Sequence, residues 1–205
     1  MALDPNNDTE RVVEVPWLLA NVGFPAAVLD VGGAGSPYLD ELEERAGVLD
    51  VIDTRESDDP RVFYEDVTRL PDAWTNYYDA ITCISVLDHV GLTAYGNEAD
   101  PLALEKAVAE MWRVLEPDGR LFVTVPVGAP QVTTHPGGEQ RVFDINEFRA
   151  LFPDDLWQWE RPFFWRLVDG QYLPCGAGAA MLAGYAGYRA EAVMCVVLTK
   201  VADDV

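Results

Sequence analysis

Acids and glycines in the first third of this 205-residue chain are spaced in a way that suits a nucleoside ligand. Asp30-Val31-Gly32-Gly33-Ala34-Gly35 sets a carboxylate two residues before a glycine cluster. Gly32, Gly33 and Gly35 can take positive φ and let another molecule approach the backbone closely. Asp53 follows 18 residues after Gly35. An acid at about that distance past a glycine turn can accept hydrogen bonds from both hydroxyls of a ribose. The plainer role for Asp53 is to cap the next turn of its loop. His89 and His135 are the only histidines, and with Asp88 they are the side chains suited to taking a proton near neutral pH. Each could instead be structural, His89 packed beside a ligand and His135 exposed on a loop. Cys83, Cys175 and Cys195 are scattered, without a C-x-x-C spacing, so no metal site is expected and the thiols read as buried and reduced.

Those residues need elements to hold them. Ala27-Val28-Leu29-Asp30-Val31 reads as a buried strand that breaks at the glycines. A helix over 37–45 follows, with Ser36 as N-cap and Pro37 in the first helical position. Strand, glycine turn and helix make the first unit of a doubly wound sheet, whose ligands dock at the carboxyl ends of the strands. The dinucleotide form of this turn needs a third glycine, and counting from Gly33 that position is Tyr38. A nicotinamide-dependent oxidoreductase is therefore disfavoured.

Further strands are expected over 48–53, 61–67, 78–87, 121–126 and 192–200. Leu104, Val108, Met111, Trp112 and Leu115 mark a helix over 102–115, ended by Pro117-Asp118-Gly119. Upstream, Asp8 or Thr9 would cap a helix over 10–22 that Pro16 should break or kink. Residues 134–138 read as a loop on the ligand side, and 143–152 as a short helix capped by Asp144. The aromatic run 157–165 could line a pocket, but at strand spacing it reads as core, and Asp169-Gly170 signals a hairpin turn. The Gly/Ala-rich stretch 175–190 carries no assignable pattern.

Composition narrows the classes. The chain is 49% hydrophobic, which argues for a globular domain, and its strongest apolar run, 192–198, is far too short to span a membrane. Residues 1–10 lack the basic start and apolar core of a secretory signal, so a cytoplasmic location is expected. Net charge is -21, and only Lys106 and Lys200 are lysines. Such a surface repels phosphate backbones and speaks against a nucleic-acid binder. It is similar to proteins of salt-loving microbes, where salt screens the self-repulsion; an ordinary acidic protein is the alternative.

The first motif, D-x-G-x-x-G from Asp30 to Gly35, resembles that of class I S-adenosylmethionine-dependent methyltransferases, with Gly33 for the usual Cys and Ala34 for the usual Gly. "YDAITCISVLDHVGL" followed by "EMWRVLEPDGRLFVTVPVG" is similar to the middle of the small-molecule members, with Asp88 for Glu, Glu116 for Lys and Asp118 for Gly. The match runs over about residues 15–130. It implies an α/β, Rossmann-like doubly wound sheet, mostly parallel, with an antiparallel C-terminal strand pair. The expectation is one domain: an N-terminal helical segment (1–24), a cofactor core (25–130) and an acceptor-side region with the terminal strands (131–205).

The resemblance also implies S-adenosyl-L-methionine as cofactor and a small hydroxyl or amine as acceptor. Its amino-acid end would lie on the turn of Gly32, Gly33 and Gly35, with Asp30 bracing that turn or reaching the ammonium. Asp53 would hold the ribose, and Asp66 would face the adenine amino group with Val67 packed on the ring. His89, Asp88 or His135 would take the acceptor's proton. The departures from the family pattern keep open a second class, a catalytically inactive interaction or assembly module on the same fold.

Overall fold

Strand β1 (Ala27–Val31) is buried at all five positions, because parallel partners flank it on both sides. The computed structural model describes residues 9–135, 138–186 and 189–202. Before β1, helix α1 (Arg11–Asn21) runs unbroken through Pro16, so the expected break is absent. After it come α2 (Leu39–Glu43), β2 (Val48–Asp53), β3 (Val62–Tyr64), β4 (Tyr78–Ile84), α3 (Ala103–Val114) and β5 (Leu115–Pro126).

The pairs β3-β2, β2-β1, β1-β4 and β4-β5 are all parallel. Alternate side chains go to opposite faces. Leu29, Val31, Ile81, Cys83, Leu121 and Val123 share a core with Ala107, Val108 and Met111 of α3. Val28, Val51, Ala80, Ile84 and Phe122 pack with Trp17 and Leu18 of α1 and with Leu39 and Leu42 of α2. Each of the Val, Leu, Ile, Phe and Met side chains among them contributes about 1.5–3 kcal/mol through burial.

Beyond β5 lie β6 (Gln131–His135), β7 (Gly138–Val142), α4 (Ile145–Ala150), β8 (Trp157–Trp159), β9 (Phe163–Val168), β10 (Gln171–Cys175), α5 (Ala177–Ala180), β11 (Tyr185–Ala186), β12 (Arg189–Ala190) and β13 (Ala192–Lys200). The main sheet runs β10-β9-β13-β5-β4-β1-β2-β3, with β8 on β13. It is the expected Rossmann-like α/β sheet. The antiparallel end is larger than a pair, because β13 inserts between β5 and β9 and also carries β8.

The β9–β10 hairpin turns at Asp169 (φ 49°) and Gly170 (φ 80°), the positive-φ pair a two-residue turn requires. Asp144 caps α4 by accepting from the amides of Asn146 and Glu147. Trp157, Phe148 and Phe152 are buried; Phe148 and Phe152 meet Trp159 edge-on and Phe152 also meets Trp157, so that part of the aromatic run is core.

Three local expectations need correction. Helix α2 starts two residues after Pro37, with Tyr38 at its N-cap and no side-chain cap from Ser36. Residues 115–119 belong to β5, where the pairing with β4 shifts register between Tyr78 and Ala80. Residues 134, 135 and 138, expected in a loop, belong to the antiparallel strands β6 and β7, paired from Gln131↔Val142 to His135↔Gly138. Turn residues alone could not show that pairing, because it is held in place by distant contacts. Ala94 bridges to Gly138, and Thr93 Oγ1 donates to Glu139 Oε2 at 2.6 Å.

Candidate active site

A cleft of about 380 Å³ opens where β1, β2 and β4 end. Of the residues singled out in the sequence, Gly32, Gly35, Asp53, Asp66, Val67 and His89 line it. Gly32 sits at φ 71°, and a Cβ there would come within 2.7 Å of Val86 Cγ2. A side chain at this position would meet both backbone strain and a filled space.

Asp30 and Gly33 lie one layer deeper. The Asp30 carboxylate is fully buried and accepts from Tyr38 OH (3.1 Å) and from Thr82 Oγ1. Its Oδ2 occupies the space where a Cβ on Gly33 would project. Burial raises the Asp30 carboxyl to about 7. The contacts leave Asp30 beneath the turn and out of the cleft lining.

Asp53 ends β2 and is buried. Its Oδ2 accepts from the Ala34 amide (3.1 Å) and Arg55 Nη2 (2.6 Å), and its Oδ1 from Arg55 N (2.9 Å) and Nε (3.0 Å). Asp66 is exposed at the cleft edge, with Oδ1 accepting from the Thr68 amide at 2.8 Å. Val67 beside it is buried.

The opposite wall escaped the sequence reading. Arg11 of α1 lines the cleft, and its Nη1 is buried without a hydrogen-bond partner. Glu14, one turn on, is fully buried; its Oε1 accepts from Ser85 Oγ at 2.6 Å and its Oε2 stands 3.8 Å from Arg11 Nε. Burial raises the Glu14 carboxyl, partly opposed by Arg11. Ser85 holds the left-handed conformation (φ 48°), pinned by its amide on Thr124 O and Thr124 Oγ1, both at 3.0 Å. The one available signal was an Arg and a Glu three apart in a helix of an acidic, base-poor chain.

Asp88 is fully buried behind His89. Its Oδ2 accepts from Gln140 Nε2 at 2.6 Å, and its Oδ1 has no hydrogen-bond partner. His89 Nδ1 lies 2.9 Å from the Glu139 carbonyl, which only accepts, so that nitrogen carries a proton. His89 Nε2 lies 3.5 Å from Asp88 Oδ2. Gln140 in turn accepts from Tyr185 OH, tying this pair to β11. Glu10, also buried, faces Tyr172 OH at 3.4 Å, and burial with the neighbouring Glu14 raises its carboxyl to about 7. The backbone of His135 pairs with Gly138 at the hairpin end. Its expected role rests on a side chain outside the described residues.

A roof closes over the cleft from the segment between β4 and α3. Tyr95, at φ 52°, places its ring 5.3 Å beneath the Arg55 guanidinium carbon and 5.1 Å from the His89 ring. Asn97 Nδ2 donates to Thr54 Oγ1 at 3.3 Å, joining the roof to the tip of β2. Among the described residues no group of three or more His, Cys, Asp or Glu could hold a metal ion, and no helix is long and apolar enough to cross a membrane.

Residues 29–123 match a family model described as "Methyltransferase domain". No curated protein matches the chain. Among solved structures, the 1,6-didemethyltoxoflavin-N1-methyltransferase of Burkholderia thailandensis, crystallised with 1,6-didemethyltoxoflavin and S-adenosylhomocysteine, superposes with a TM-score of 0.64 at 18% identity, over 92% of this chain and 77% of that one. The N-methyltransferase NodS of Bradyrhizobium japonicum WM9 gives 0.60 at 14%, over 98% and 100%. The [4+2]-cyclase SpnF gives 0.52 at 20%, over 71% and 57%. At these identities the likeness is one of fold, and SpnF warns that the fold by itself does not set the reaction.

Proposed function

We propose that this chain, whose residues 29–123 match the methyltransferase-domain model, works as a class I S-adenosylmethionine-dependent enzyme and moves the cofactor's methyl group to a hydroxyl or amine of a small molecule. The carrying observation is that the glycine turn, Asp53 and Asp66-Val67 line one cleft across neighbouring strand tips, although they are far apart in sequence.

The residues present fit S-adenosyl-L-methionine. Gly32 lies where a Cβ would clash, so backbone forms that wall. Asp53 can accept from a ribose diol, and exposed Asp66 from an adenine amino group, with Val67 offering an apolar surface to the ring. Arg11 brings a buried guanidinium nitrogen that lacks a partner, suited to a carboxylate. When bound, the cofactor supplies a methyl group on a sulfonium, already carrying its leaving group.

The protein's work is then to hold the acceptor in line and exclude water, a proximity effect that can be large. His89 and Asp88 are the pair proposed to take the acceptor's proton. The Glu139 carbonyl fixes the ring through Nδ1, and Asp88 supplies a buried counter-charge near Nε2. Tyr95 and Asn97 of the roof line the same space.

Isothermal titration with S-adenosylhomocysteine, in molar salt to suit the net charge of -21, tests the cofactor site. A folded sample that takes up no ligand defeats the reading. Transfer of labelled methyl from the cofactor into a small-molecule extract tests the reaction. A second reading, a cofactor-binding module without turnover, is favoured by one observation: both ring nitrogens of His89 face protein atoms. Binding without any transfer would select it.

A further inference from the structure

We infer that Arg55 is an internal ligand of the cofactor site, a guanidinium that takes the place of the ribose diol on Asp53 and must leave before the sugar can bind. The inference rests on the cofactor reading above and adds a regulation of the same site.

The count of bonds carries it. A carboxylate offers about four lone-pair positions. Asp53 has four protein donors: the amides of Ala34 and Arg55, and the Nε and Nη2 of the Arg55 side chain. The two amides belong to the glycine turn and to the strand end, and they define the site. The two side-chain donors sit on different oxygens, Nε on Oδ1 at 3.0 Å and Nη2 on Oδ2 at 2.6 Å. A vicinal diol likewise brings two donors side by side. Two N–H groups leave and two O–H groups arrive, so the number of bonds to Asp53 is unchanged.

Arg55 is placed to move. Its side chain is 45% exposed while that of Asp53 is 5% exposed, so the mobile partner is the one in contact with water. It also spans the cleft, donating from Nη2 to Ala34 O at 3.1 Å and lying over the Tyr95 ring. Leaving Asp53 therefore releases the glycine turn from Arg55, while the existing contact with the Tyr95 ring gives the guanidinium a hold that does not depend on Asp53. The sugar's gain on Asp53 is offset by the loss of the arginine, which lowers the apparent affinity for any adenosine ligand.

Titration of wild type and Arg55→Ala with S-adenosylhomocysteine, adenosine and 2′,3′-dideoxyadenosine decides the matter, with circular dichroism to establish that the variant is folded. Arg55→Ala should bind S-adenosylhomocysteine and adenosine about fivefold more tightly, the upper range for a partly exposed ion pair, and dideoxyadenosine no better. Its preference for the diol should thus exceed that of wild type by the same factor, a ratio that a merely structural arginine would not move. Equal or weaker binding of adenosine by Arg55→Ala overturns the inference while leaving the cofactor reading intact. If neither form bound any of the three ligands, both would fall.

Discussion

The carboxylate of Asp30 fills the space beside Gly33, so the two residues form one solid brace beneath the glycine turn. Asp30 cannot retreat, because Tyr38 and Thr82 hold it from behind. Gly33→Ala should therefore lower stability by about 1–3 kcal/mol through overpacking and weaken S-adenosylhomocysteine binding by displacing the turn. Urea unfolding and titration of the same sample check it. An alanine variant of wild-type stability would show that the turn yields more easily than these contacts suggest.

Arg11 offers a different kind of check, because its proposed target is one end of the ligand. Arg11→Gln should weaken S-adenosylhomocysteine by roughly 10- to 100-fold, the usual range for losing a charge-assisted bond, and leave adenosine, which has no carboxylate, within twofold. Equal losses for both ligands would place Arg11 in the structure of α1 and not at the ligand.

For the proton-accepting pair, His89→Gln and Asp88→Asn should each lower methyl transfer by about 10²- to 10⁴-fold. Cofactor affinity should change less than the rate in both. The readout is the initial rate of label transfer beside a titration of each variant. Variants that keep the wild-type rate would remove both residues from the chemistry.

Stability should fall as pH rises through a defined window. Glu10 ionises at about 7 when folded, against 4.5 for an ordinary glutamate, because burial and Glu14 oppose its charge. Between those values the folded chain holds a proton that the unfolded chain has lost. The folded state is thus progressively disfavoured from about pH 4.5 to 7, with no further loss from this group above that. Glu10→Gln should flatten the fall by on the order of 1–3 kcal/mol. Denaturant unfolding at pH 5 and pH 8 in constant molar salt measures it, and an unchanged slope in the variant would assign the dependence elsewhere.

Strands β1 and β4, α3 and the β9–β10 turn were legible because each is written locally. Apolar runs at 27–31 and 78–84, the helical period of 103–114 and Asp169-Gly170 at a turn all act through neighbours in the chain. The candidate site was only half legible. The residues lining the β1 and β2 tips follow a fixed distance from the glycine turn, so spacing revealed them. Arg11, Glu14 and Ser85 carry no such spacing. Glu14 meets Ser85 across 71 positions, and only the packing of α1 on the sheet brings them together.

The chain's own order of residues thus determined a doubly wound sheet, a glycine turn and the acids that follow it, since hydrophobic period and turn chemistry are properties of short stretches. Tertiary structure alone decided which of those groups face the cleft. Asp30 is held under the turn by Thr82, 52 positions away, Asp53 takes the amide of Ala34, 19 positions away, and Asp88 takes Gln140, 52 positions away. The physical reason is that burial and hydrogen-bond competition depend on what arrives from elsewhere in the fold, and no local pattern encodes the arrival.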